Sequence, residues 1–126
     1  MTRILTGVSA ALEGAPGVAL IAVPEVVAHL LLGSALSGSG VAVARVAGFG
    51  LLSLAIACWP CGNEATEQAT RALFVYNLLA GLYLGFLRID GAFAGMLLWP
   101  ACILHLLLAL LLVRPAYRSL WAARER

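Results

Sequence analysis

Charge is scarce in this sequence. Aspartate, glutamate, lysine and arginine make up only 11% of the 126 residues, and lysine is absent, so that all eight basic residues are arginine. A net charge of +2, carried by arginines at the ends of apolar blocks, forms no basic patch and excludes nucleic acid as the expected partner. Thiols are few as well. With three cysteines, the chain has one C-x-x-C pair and no second pair to exchange electrons with it. Two thiolates without a third ligand make an incomplete metal site, so neither a metal nor another cofactor is expected. Residues Met1 to Leu12 lack a clean apolar core followed by a small-residue cleavage site, and no cleaved signal peptide is expected.

What the chain has in quantity is apolar sequence. Hydrophobic residues reach 63%, in blocks long enough to cross a bilayer about four times, since a span needs roughly 20 mostly apolar residues. The reading is an all-α integral membrane protein: a single domain over 1–126, built as a four-transmembrane-helix bundle with a short interfacial helix after the first span. The last three spans are predicted at about 41–59, 72–87 and 92–113. Gly38-Ser39-Gly40 opens the second, and Pro60 and Gly62 close it. Arg88 to Gly91 reads as a tight turn making the last two spans an antiparallel hairpin, and Arg114-Pro115 marks the end of the fourth.

The first span admits two registers. One covers about 4–23, with Glu13 near mid-depth and Pro16-Gly17 as a kink, followed by an interfacial helix over about 24–33. The other covers 16–36 and buries both Glu25 and His29. The first is favoured because it buries one ionisable group instead of two, each costing about 2.5 kcal/mol or more at the bilayer centre. In that register Val26, Val27, Leu30 and Leu31 form one stripe, suited to a helix at the interface.

Orientation follows from arginine placement. With both termini cytoplasmic, the inside holds Arg3, Arg71, Arg114, Arg118, Arg124 and Arg126, and the outside holds Arg88 and Arg45. Trp59, Trp99, Tyr117 and Trp121 fall near span ends, where amphipathic rings prefer to sit.

Three groups of residues carry potential chemistry. Glu13, Asn77 and His105 lie at similar depth from the cytoplasmic side, so one polar layer joins the first, third and fourth spans, either as helix-to-helix glue or as a ligand or proton site. A carboxyl or imidazole in hydrocarbon must find a partner or stay neutral. Arg45, in the outer part of its span, needs a partner too, and Asp90 or Glu25 would supply an outer ion pair, unless the guanidinium snorkels to water. Cys58 and Cys61 have the spacing of a thiol–disulfide pair. They close a span, however, and face a reducing compartment, which favours small apolar helix-end residues. Gly81-x-x-x-Gly85 and Gly91-x-x-x-Gly95 place small residues for close helix packing.

Ala11-Leu12-Glu13-Gly14, the Pro24 segment closing at Leu30-Leu31-Leu32-Gly33, Arg45-Val46-Ala47-Gly48, Tyr76-Asn77, and Leu98-Trp99-Pro100 with His105 extend over most of the chain. In these features it resembles a group of small bacterial inner-membrane proteins, loosely similar to the DoxX-like four-helix superfamily. The resemblance implies the four-span architecture and lends no activity. Glu13 also resembles, in placement alone, the membrane-embedded carboxylate in the first span of small multidrug resistance transporters. The resulting expectation is a multi-pass protein of the bacterial inner membrane, structural or accessory more than enzymatic. The lipid bilayer, another membrane protein or a second copy of the chain would be its partners. Proton-coupled or small-molecule transport through Glu13, and thiol–disulfide exchange through Cys58 and Cys61, are the alternatives.

Overall fold

Pro24 divides the first apolar block into two helices. It has no N–H to donate and disfavours helical geometry in the residue before it, and Val23 accordingly leaves the helix at φ −137°, ψ 58°. The computed structural model describes residues 2–61 and 65–124, apart from the side chains of 65, 66 and 119–124. Gly62, Arg126 and the side chains of Trp121 and Arg124 thus lie outside the described residues. Within them the chain forms α1 (Thr2–Ala22), α2 (Pro24–Leu32), α3 (Gly38–Ala57), α4 (Ala65–Asp90) and α5 (Leu98–Arg124), and no strand. Four helices are long and apolar enough to cross a membrane: Thr2–Ala22, Gly38–Ala57, Glu67–Asp90 and Leu98–Arg118. The first block thus places Glu13 in the middle of α1 and leaves Glu25 and His29 exposed on α2.

The bundle consists of two closely packed pairs, α1 with α3 and α4 with α5, and contacts between the pairs are sparser. Glycine sets the first crossing. A Cβ on Gly48 of α3 would lie 2.7 Å from the Gly17 carbonyl oxygen of α1, so the two backbones meet with no room for a side chain. In the second pair Gly81 packs under Leu106 and Gly85 under Cys102. Ala10, Cys58, Ala69, Leu73 and Leu112 bring all four long helices into one apolar cluster. It lies where α1 and α4 begin and α3 and α5 end. Arg3 caps that end of the bundle by donating from Nη2 to the Pro60 carbonyl at 3.2 Å.

Two boundaries differ from the sequence reading. The fourth span does not begin at Ala92: α4 runs through Asp90, Gly91 ends it at φ 78°, and α5 starts only at Leu98. The intervening segment is apolar enough to be helical, but its backbone donors are used elsewhere. Ala94 N–H donates to the Leu32 carbonyl at 3.2 Å and Leu97 N–H to the Leu30 carbonyl at 2.9 Å, which are terminal carbonyls of α2 with no donor inside their own helix. Gly33, at φ 74°, and Gly95 permit this close approach. Gly91 and Gly95 therefore do not share a helix face. Nor does Pro115 end α5, which continues to Arg124 with the proline inside it.

Candidate functional site

The inward stripe of α1 is polar where a membrane helix is usually apolar. Thr6, Ser9, Ala10, Glu13 and Gly17 recur at three- and four-residue intervals and are all buried. Thr6 satisfies itself within α1, its hydroxyl lying 3.1 Å from the Thr2 carbonyl and 3.0 Å from that of Arg3. Ser9 and Glu13, one turn apart, face α4 and α5 instead.

Asn77 is the hub of the layer. It is fully buried on α4, and its Nδ2 donates to the Leu73 carbonyl at 2.9 Å and to Ser9 Oγ at 3.2 Å. A carbonyl oxygen can only accept, so the bond to Leu73 fixes which way the amide faces. Asn77 Oδ1 is thereby turned toward His105 Nδ1 at 2.9 Å. Because Oδ1 also only accepts, Nδ1 must carry the hydrogen, and in the neutral ring Nε2 keeps its lone pair. The hydrogen-bond geometry alone thus assigns the tautomer of His105. Tyr76 braces the imidazole edge-on, with ring centroids 5.8 Å apart and planes at 78°.

Glu13 completes the cluster without being fully bonded to it. Its side chain is 1% exposed and its Oε1 lies 3.5 Å from His105 Nδ1, whose hydrogen already points at Asn77. Tyr76 and Asn77 side chains also approach the carboxyl. Among the described residues, Glu13 Oε1 is the one buried side-chain oxygen or nitrogen with no hydrogen-bond partner. The structure therefore brings Glu13, Asn77 and His105 together and adds Ser9 and Tyr76, which the sequence reading did not place in the layer. Ser9 was within reach of inference, because it stands one helical turn before Glu13 on the same face.

The outer arginine is different. Arg45, Asp90 and Glu25 are all exposed, and no ion pair joins Arg45 to either acid among the described residues. The long Arg45 side chain stands on the open face of α3, where snorkelling needs no partner. The cysteines are separated by environment: Cys58 is buried in the apolar cluster, Cys61 is exposed, and both are free thiols. Cys58 sits at the C-terminal end of α3, the helix end that offers a thiolate no stabilisation. Cys102 is also buried and donates from Sγ to the Gly81 carbonyl at 3.3 Å. No group of three His, Cys, Asp or Glu side chains among the described residues is arranged to hold a metal ion.

Comparison with protein-family models, curated proteins and solved structures gives no match for this chain.

Proposed function

We propose that the chain is a multi-pass protein of a bacterial inner membrane, related to the DoxX-like group, with both termini cytoplasmic and a structural or accessory role instead of catalysis. The observation that carries this reading is the bonding of Asn77. Its amide is committed to Ser9 on α1, to its own helix and to His105 on α5, so the layer works as a lock between two helix pairs that otherwise touch sparsely. In hydrocarbon, where lipid and leucine are equally apolar, such bonds and close glycine crossings replace the hydrophobic drive to associate. The extensive exposed apolar surface of the spans, including Val43, Leu79, Leu82 and Leu110, then faces lipid or another membrane protein.

A second reading is favoured by one observation, the unpartnered Oε1 of Glu13. A buried carboxyl with a spare acceptor beside an imidazole is a group that takes up and releases a proton, as a proton-coupled transporter needs. The variant Glu13→Gln separates the two readings, because an amide still hydrogen-bonds but cannot titrate. A lock predicts that Glu13→Gln retains thermal stability in detergent and restores whatever phenotype a deletion strain shows. Retained stability with lost complementation would displace the structural reading in favour of the proton site.

A further inference from the structure

We infer that the face of α5 formed by Val113, Arg114, Tyr117 and Arg118 binds the headgroup of one anionic phospholipid at the cytoplasmic end of the fourth span. The inference rests on the membrane placement proposed above and extends it to a defined lipid site.

These four residues line a groove of about 340 Å³ on the protein surface. Arg114 and Arg118 are one helical turn apart, which puts their guanidinium groups on the same side of the helix, with Tyr117 between them. Both arginines are exposed, and neither forms an ion pair among the described residues. The acid described nearest this end of the bundle, Glu67, is held instead by Arg71 at 3.8 Å. Two guanidinium groups at one turn's spacing, without an acid partner among the described residues, match the oxygens of a phosphodiester, which arginine grips through paired N–H donors.

The surroundings select a lipid over a free ion. Along the same face toward the middle of the span come Leu110, three residues before Val113 and four before Arg114, and Leu107, seven before Arg114, both exposed. An acyl chain can follow that stripe while the phosphate stays at the arginines, and the Tyr117 ring sits at the level where amphipathic aromatics favour the interface. A zwitterionic headgroup would bring its own cation against the two arginines. A headgroup with net negative charge brings none, so the site discriminates by charge.

The test uses the full-length protein and three probes: dioleoylphosphatidylglycerol, dioleoylphosphatidylcholine and inorganic phosphate. Native mass spectrometry from detergent is expected to show one retained phosphatidylglycerol, preferred over phosphatidylcholine by roughly tenfold to thirtyfold, the scale of two basic side chains at an anionic surface. The preference should disappear in the double variant Arg114→Gln, Arg118→Gln and survive in Arg88→Gln at the opposite end, with the circular dichroism of all three proteins unchanged. Equal retention of both lipids by the unaltered protein would overturn the inference, as would a preference that survives the double variant. Displacement of the lipid by millimolar phosphate would overturn it in favour of a free-anion site. Carbonate washing of membranes is run on the same preparations. A protein that stays in the membrane but shows no preference refutes the lipid site alone, whereas one released by carbonate refutes the membrane placement and the site together.

Discussion

His105 Nδ1 and Asn77 Oδ1 meet at 2.9 Å across the α4–α5 pair, and the amide's bond to the Leu73 carbonyl leaves that contact only one polarity. The imidazole is the donor. One fixed amide thus determines that Nδ1 of a histidine on a neighbouring helix carries a hydrogen and, through Ser9, ties both to α1.

Replacing the hub tests how much the lock contributes. Asn77→Leu removes the bonds that join the buried Ser9 hydroxyl and the His105 Nδ1 hydrogen to α4, so a loss of about 1–3 kcal/mol in unfolding free energy is expected. Unfolding in detergent, titrated with a denaturing surfactant and followed by circular dichroism, measures it. A loss below about 0.5 kcal/mol would show that the two helix pairs are held by apolar packing alone.

The glycine crossing makes an opposite pair of predictions. In Gly48→Ala the new methyl meets the Gly17 carbonyl oxygen and Ile21 Cγ1, and overpacking of this kind costs about 1–3 kcal/mol. Gly50, on the same helix, has nothing within 4 Å of its would-be Cβ. There the substitution Gly50→Ala is expected to stabilise by up to about 1 kcal/mol through helix propensity. Thermal unfolding of the two variants should therefore shift in opposite directions.

The thiols should divide by burial. In the folded protein a water-soluble maleimide is expected to label Cys61 rapidly, and Cys58 and Cys102 only after denaturation, since the latter two are buried. Alkylation of untreated cells followed by mass spectrometry checks their redox state, and reduced thiols are expected throughout. A substantial Cys58–Cys61 disulfide fraction would instead promote thiol exchange over the structural reading.

Topology is open to direct measurement. Arginines Arg3, Arg71, Arg114 and Arg118 stand at the end where α1 and α4 begin and α3 and α5 end, while Arg88 closes α4 at the other. The proposed orientation, with the first end in the cytoplasm, rests on the positive-inside rule. A cysteine introduced by Asp90→Cys should be labelled from outside the cell, and a phosphatase fused after Arg126 should be inactive. The reverse pattern would invert the proposed orientation.

Much of this architecture is written locally. Helices long and apolar enough to cross a bilayer, the break before Pro24, and the exit of α2 at a left-handed Gly33 each follow from residues a few positions apart, because helix continuity is decided by backbone donors and side-chain sterics within one or two turns. The membership of Glu13, Asn77 and His105 in a common depth is legible for the same reason, since rise per residue converts position into depth.

What the chain pairs with across space is not written locally. The apolar run after Gly91 has the composition of a helix, yet Ala94 and Leu97 give their N–H groups to α2, a competitor some sixty positions earlier that no local pattern reveals. Arg45 stays exposed without Asp90 or Glu25, because burial depends on which helix faces lie opposite. Likewise the direction of the Asn77 amide, the tautomer of His105 and the missing partner of Glu13 Oε1 exist only once three helices converge. Sequence determined the four apolar helices and their order. Tertiary packing alone decided which polar atoms of the layer are satisfied and that Glu13 Oε1 is left over, because hydrogen bonding between helices depends on distances of a few tenths of an ångström that spacing along the chain cannot set.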